Sequence, residues 1–267
     1  MAAPKITTQT LREMKSRGER IAALTAYDHT MATLLDQAGI DLILVGDSVA
    51  TVVQGHETTV PVTLEQMLYH TEMVARACQR AFVVGDMPFL SYQVSAEEAL
   101  RNAGRFLKES KAEAVKLEGG SLVVQTVARL VGAGIPVMGH LGLTPQSIHQ
   151  FGTYKTRGVE PAERARILAD AEALAQAGVF ALVLEKVPAD LAREVTQRLA
   201  VPTIGIGAGP HCDGQVLVTH DLLGLFTKWQ PRFVRRYAEL GQAIATAGKR
   251  YADDVRRGDF PDASESY

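Results

Sequence analysis

Eight short apolar runs punctuate the chain, at 21–27, 41–46, 81–85, 114–118, 136–139, 180–184, 202–206 and, more weakly, 215–219. Each is too short for a helix and apolar at consecutive positions, which predicts strands buried on both faces. Between them apolar residues return with helical spacing. In 63–78, Leu64, Met67, Leu68, Thr71, Ala75 and Cys78 share one face, so Cys78 reads as core packing rather than as a nucleophile. Leu191, Val195 and Leu199 stripe a later helix in the same way. Three helical segments close on Ala-Gly followed by a β-branched residue: Ala38-Gly39-Ile40, Ala133-Gly134-Ile135 and Ala177-Gly178-Val179. Glycine there predicts a left-handed helix terminator with a strand starting at once. Ser95 with Glu98 predicts a capping box, and Pro161 suits a first helical turn.

Alternating helices and doubly buried strands imply a parallel sheet covered by helices. Eight strands predict a closed (β/α)8 TIM barrel. An open doubly wound sheet competes, but the first strand-to-helix turn, AYDHTMA, carries no G-x-G-x-x-G fingerprint. No linker or low-complexity stretch divides the chain, which predicts a single domain over 1–267 with a short N-terminal helix. A helical C-terminal segment, 231–257, would belong to its wall or to an oligomer contact.

Composition narrows the function classes. The 267 residues are 46% apolar and 22% charged, enough for a sizeable core. With 28 Lys and Arg against 30 Asp and Glu the net charge is -2, so no overall field favours nucleic acid or an anionic membrane. The basic cluster Arg232, Arg235 and Arg236 reads as a solvated face of the helical tail. Two cysteines without a CxxC neighbour support neither a disulfide framework nor a zinc knuckle. No run has the length of a signal peptide core or a membrane span, and the expectation is a cytoplasmic protein.

The chemistry gathers at the strand ends. They read Gly46-Asp47-Ser48, Gly85-Asp86, Lys116-Leu117-Glu118, Gly139-His140, Leu184-Glu185-Lys186 and Gly205-Ile206-Gly207-Ala208-Gly209. A barrel sends all of these to one mouth, the face where active sites form. A single Asp after a strand is equally a helix cap or turn former; several acids with a Lys and a His on one rim are harder to explain that way. Hard carboxylates without thiol partners suit Mg2+, with Asp47, Asp86 and Glu118 as candidate ligands. A cation there could chelate a 2-oxo acid and act as Lewis acid for an enolate. Removing a carbon-bound proton also needs a base, and Glu185, after the apolar FALVL run, fits, with a pKa raised by that environment. Lys116 can pair with a substrate carboxylate, and Ser48 and His140 can supply hydrogen bonds to substrate. For His140 a turn histidine bonded to a carbonyl is the alternative.

Three segments near the mouth have no assigned chemistry. GIGAG (205–209) reads as a phosphate cradle or as a tight turn. His211, Cys212 and Asp213 follow it, but three consecutive residues do not readily converge on one ion, which favours loop structure. QGHETTVPVT (54–63) and FGTYKTRG (151–158) lie where covers over the site would sit.

The motifs LTAYD (24–28), LVGDS (44–48), TTVPVTLEQMLYH (58–70), VVGDMPF (83–89), AVKLEGG (114–120), GIPVMGHLGLTPQ (134–146), LVLEKVP (182–188), IGIGAG (204–209) and VLVTHDLLG (216–224) occur in one order. Together with the ending GDFPDASESY they make the chain resemble the ketopantoate hydroxymethyltransferases over almost its whole length. That resemblance implies a phosphoenolpyruvate/pyruvate-type barrel of pantothenate and coenzyme A biosynthesis. It implies transfer of a hydroxymethyl group from 5,10-methylenetetrahydrofolate to 3-methyl-2-oxobutanoate, with Mg2+ as cofactor. It further implies Asp47 and Asp86 as Mg2+ ligands, Glu118 as a third acid acting through water, Asp47, Ser48, Asp86 and Lys116 as oxo-acid contacts, and Glu185 as the proton acceptor. His140 falls on a family histidine, and a homodecamer built as a dimer of pentamers is expected. Folate contacts in 149–158 stay open.

Two other readings compete. A lyase or mutase of the phosphoenolpyruvate mutase/isocitrate lyase kind shares barrel, metal and 2-oxo acid chemistry, but it needs a cysteine acid in a mouth loop. A non-catalytic metabolite-binding barrel would not need Asp47, Asp86 and Glu185 together.

Overall fold

The computed structural model describes residues 4–227 and 230–267. Eight parallel strands close into a barrel in chain order: β1 Ile21–Thr25, β2 Leu42–Val45, β3 Phe82–Asp86, β4 Ala114–Lys116, β5 Val137–Gly142, β6 Ala181–Glu185, β7 Thr203–Ile206 and β8 Gly214–Leu217. All eight predicted strands form. The weak eighth pairs with β1 and β7, and so closes the ring.

The helix starts and stops follow local chemistry. Thr63 and Gln66 make a reciprocal capping box ahead of Leu64–Ala77, and Pro161 opens Pro161–Gln176. At Ser95 only half of the expected box forms: its hydroxyl accepts from the Glu98 amide. The Ala-Gly terminators close as predicted. Gly39, Gly134 and Gly178 have φ of 85°, 87° and 99°, and the next amide reaches back five residues in each case, Ile40 to Leu35, Ile135 to Leu130 and Val179 to Leu174. This is the Schellman closure, which turns the chain straight into the following strand. On Leu64–Ala77 the buried face is Met67, Leu68, Thr71, Val74 and Ala77. Each large apolar side chain there contributes about 1.5–3 kcal/mol on burial, more than the roughly 0.7 kcal/mol that separates ordinary helix propensities.

Alternate strand residues point into the barrel. Ile21, Ala23, Leu42, Leu44, Phe82, Val84, Ala114, Met138, Ala181, Val183, Ile204 and Val216 fill its lower interior. The N-terminal helix Thr8–Ser16 adds Leu11 and Met14 to the same core, with Ile6 ahead of it. Lys5 donates to Ala81 O and Lys15 pairs with Asp213, both near the starts of strands, so this segment floors the barrel.

The barrel belongs to a compact unit ending at Val218, and Thr219–Tyr267 forms a second unit. In the latter the long helix runs Leu240–Arg257, starting nine residues later than predicted. The amides of Tyr237 and Leu240 bond the carbonyls of Leu222 and Leu223, which commits the preceding backbone to a non-helical path. Arg232, Arg235 and Arg236 therefore precede the helix. Among the described residues no helix is long and apolar enough to cross a membrane.

Candidate active site

The inward alternation that fills the barrel with hydrocarbon continues upward into charge. On β3 the series Phe82, Val84 ends in Asp86; on β4 Ala114 is followed by Lys116 and, past the strand, Glu118; on β5 Met138 is followed by His140; on β6 Val183 is followed by Glu185. Strand register sets the neighbours, with Asp86 opposite Lys116 and Gly142 opposite Glu185. The same period-two pattern thus builds both the core and the site.

Lys116 is the hub. Its Nζ lies 2.9 Å from Asp86 Oδ1, 3.6 Å from Glu118 Oε1 and 3.3 Å from His140 Nδ1. Burial alone would lower its pKa, but Asp86, Glu118 and Asp47 raise it, and it stays charged. His140 bridges two acids, with Nδ1 3.3 Å from Glu118 Oε1 and Nε2 3.3 Å from Glu185 Oε2. Burial and Lys116 push its pKa down; the hydrogen bonds and charges of Glu118 and Glu185 more than reverse this and carry it to about 9. The ring nitrogens face carboxylates at ion-pair distance, not the backbone carbonyl of the alternative reading.

The acids divide by environment. Burial, then Asp86 and Glu118, push Asp47 up to about 8. Burial also raises Asp86 in spite of Lys116. For Glu118 burial is outweighed by Lys116, His140 and the Gln146 amide, and its pKa is lowered. The Glu185 side chain is 17% exposed and faces the His140 ring, because the strand's last inward position reaches the open mouth.

Hard-cation chemistry fits this donor set. Asp86 Oδ1 and Glu118 Oε1 are buried without an aligned hydrogen bond, Lys116 Nζ lying near both but off the hydrogen-bond line. Four carboxylates (Asp47, Asp86, Glu118, Glu185) face two basic groups (Lys116, His140), a balance that a dication would complete. Among the described residues no three His, Cys, Asp or Glu side chains are arranged to hold an ion together. Asp47 and Asp86, joined through the Asp47 amide donating to Asp86 Oδ2 at 3.1 Å, are the adjoining pair.

Ser48 Oγ lies 2.8 Å from the Tyr27 hydroxyl. The loop 151–158 is tied to the end of β6 by the Arg157 amide donating to Lys186 O at 2.9 Å. Tyr154 of that loop has its pKa raised by burial and by the charge of Glu185, which places it beside the mouth. The GIGAG loop is a packing turn: a Cβ on Gly209 would come 2.4 Å from Ala189 Cβ. His211, Cys212 and Asp213 diverge, since His211 meets Arg193 and Asp213 meets Lys15 and Thr203. Cys78 caps the end of its helix and is half-buried, and Cys212 is buried.

Sequence reasoning missed Gln146 and Tyr92. Gln146, on the loop after β5, donates to Asp47 Oδ2 (3.0 Å) and to Met87 O (3.0 Å), and its amide donates to Glu118 Oε2 (3.1 Å). Tyr92 hydroxyl meets Gln146 Oε1 at 2.7 Å. The only signal was Gln146 closing the motif GIPVMGHLGLTPQ.

Residues 5–263 match the model of the family described as ketopantoate hydroxymethyltransferase. The chain belongs to the ketopantoate hydroxymethyltransferase family. Among relatives called 3-methyl-2-oxobutanoate hydroxymethyltransferase, that of Prosthecochloris aestuarii is 60% identical, covering 99% of this chain and 97% of its own. That of Moorella thermoacetica is 59% identical over 98% of each chain. Solved structures share the family's barrel at low identity. A 2,3-dimethylmalate lyase of the PEP mutase/isocitrate lyase superfamily matches with TM-score 0.62 and 18% identity over 98% of this chain and 93% of that one. A phosphonopyruvate hydrolase complexed with oxalate and Mg2+ matches with TM-score 0.61 and 13% identity over 97% and 93%. These two likenesses concern the fold alone. The motifs that carry the resemblance include Asp47, Ser48, Asp86, Lys116, Glu118, His140, Gln146 and Glu185, whereas Tyr92 and Tyr154 lie outside them.

Proposed function

We propose that this chain transfers a hydroxymethyl group from 5,10-methylenetetrahydrofolate to 3-methyl-2-oxobutanoate, giving 2-dehydropantoate for pantothenate and coenzyme A biosynthesis. The observation that carries the reading is a carboxylate, Glu185, on the same rim as a buried ammonium, Lys116, and the acid pair Asp47 and Asp86. Relatives near 60% identity bearing the corresponding name support it.

Lys116 Nζ, with Ser48 Oγ, binds the substrate carboxylate and sets its orientation. Asp47 and Asp86 would hold Mg2+, with Glu118 acting through water, and the ion would supply the positive charge that makes the C3–H bond acidic. Glu185 takes the C3 proton onto a carboxylate oxygen, and His140 Nε2, 3.3 Å from Oε2, steadies that carboxylate. The carbon freed of its proton attacks the one-carbon unit of the folate. Water then breaks the resulting C–N bond, leaving a hydroxymethyl group on C3 and releasing tetrahydrofolate. The exposed edge of Glu185 and the adjoining loop 151–158 leave the folate an approach from the mouth. The same reading takes the protein to be a cytoplasmic homo-oligomer, a decamer of two pentamers, working on small molecules.

Proton NMR of 3-methyl-2-oxobutanoate in D2O, with enzyme and tetrahydrofolate, tests this directly. Loss of the C3 proton signal with Mg2+ but not with EDTA is the expected result. No exchange and no transfer from methylenetetrahydrofolate would reopen the lyase and binding-barrel readings.

A further inference from the structure

We infer that Gln146 is a positioning residue for the site's divalent cation: its side-chain amide occupies Asp47 Oδ2, leaving Oδ1 to the ion, and Tyr92 fixes which way round that amide lies. The inference rests on the cation role given to Asp47 above and adds to it two residues from loops outside the strand ends.

Gln146 is 4% exposed and follows Pro145 in a short 3-10 turn after β5. A side-chain amide offers two N–H donors and an oxygen with two lone pairs, and leaving any of them unmet in a buried place costs about 1–3 kcal/mol. Here all four are met. Nε2 donates to Asp47 Oδ2 and to Met87 O, each at 3.0 Å; Oε1 accepts from Tyr92 Oη at 2.7 Å and from Gln93 Nε2 at 3.2 Å. Turning the amide over would set its oxygen against a carboxylate and a carbonyl, with nothing to donate to either.

Direction along this chain begins at a group that cannot reverse. The Glu118 amide N–H donates to Tyr92 Oη at 3.0 Å. The phenol therefore accepts there, and its single proton goes to the nearest acceptor, Gln146 Oε1 at 2.7 Å rather than Glu118 O at 3.2 Å. That leaves both Gln146 N–H groups for Met87 and Asp47. The backbone amide of Gln146 meanwhile takes Glu118 Oε2 at 3.1 Å, so one residue engages one oxygen on each of two acids. Asp47 Oδ1 and Glu118 Oε1 are the oxygens left to other partners. Such supporting contacts shape an ion's affinity without touching the ion.

The test uses full-length protein and Mg2+ alone, with affinity from isothermal titration and each variant's melting temperature compared with and without Mg2+. Gln146→Met keeps the volume and the backbone amide bond to Glu118 but removes the side-chain donors to Asp47 Oδ2 and Met87 O; its Mg2+ affinity should fall about 10- to 100-fold, and its Mg2+-induced rise in melting temperature should shrink. Turnover should recover as Mg2+ is raised, which a general loss of structure would not allow. Tyr92→Phe removes only the hydroxyl and should shift affinity in the same direction. It carries the test if Gln146→Met does not fold. Folded variants that bind Mg2+ as tightly as wild type would overturn the inference and leave the proposed activity standing. Wild type that binds no Mg2+ would overturn the metal role itself, and the inference with it.

Discussion

Lys116 Nζ lies 2.9 Å from Asp86 Oδ1, and the two residues are register partners on adjoining strands of the barrel. Strand pairing, not a flexible loop, sets that distance. Their side chains are 4% and 1% exposed, so each charge depends on the other for what water no longer provides. Lys116→Met should therefore destabilise the protein by about 3 kcal/mol, the lower end of the range for breaking a buried pair. The lower end applies because burial already raises the Asp86 pKa, and the orphaned carboxyl takes up a proton. Urea unfolding checks this through a lower midpoint at an unchanged slope. A loss below about 1 kcal/mol, the scale of a surface pair, would show that the lysine does not hold the acids.

Glu185→Gln should leave 3-methyl-2-oxobutanoate binding near wild type, since Lys116 and the Asp47/Asp86 pair remain. It should slow C3 proton exchange by about 10²- to 10⁴-fold, the usual contribution of a positioned base. Deuterium exchange followed by NMR measures the rate. Exchange at the wild-type rate would pass the role to another group.

On the proposed reading, Mg2+ would bind the folded site, and the unfolded chain would offer no such site. At a free concentration about 100 times its Kd it should stabilise the protein by about 2.7 kcal/mol. For a chain of this size that is a melting shift of about 5–11 °C. EDTA should reverse the shift, and Asp86→Asn should lose most of it. An equal shift in Asp86→Asn would move the ion elsewhere.

Burial, and then the negative charge of Asp36, push the Cys78 thiol up to about 12. The thiolate is the reactive form, so a raised pKa keeps this cysteine protonated and slow at neutral pH. Its alkylation by iodoacetamide should climb about tenfold per pH unit from pH 7 to 9, with no plateau, because the thiolate fraction is still far from saturating. Mass spectrometry of the Cys78 peptide reads the rate. A plateau near pH 9 would mean an exposed, ordinary thiol.

The barrel was legible because hydrocarbon on both faces of a strand leaves few other readings, and because Gly39, Gly134 and Gly178 mark each helix end beside the strand that follows. The strand-end charges were legible for a related reason: Asp86, Lys116, His140 and Glu185 continue an inward alternation already set by Val84, Ala114, Met138 and Val183. Gln146 and Tyr92 were not, since they meet across 54 residues from two separate loops and follow no periodicity. The contact of Glu185 with the His140 ring was not legible either, since it joins neighbouring strands across the open end of the barrel. The late start of Leu240–Arg257 was hidden for a similar reason, its preceding amides being taken by carbonyls near Leu222.

The helix Thr8–Ser16 closes one end of the barrel while the side chains assigned to the site, from Asp47 to Glu185, lie at the other. Leu11 and Met14 pack into the core below the strand-end charges, and substitutions at sites with no shared partners combine additively in free energy. Sturdiness and chemistry can therefore be retuned one at a time: the floor can be repacked for heat tolerance in a laboratory selection while the mouth is altered, independently, toward a different 2-oxo acid.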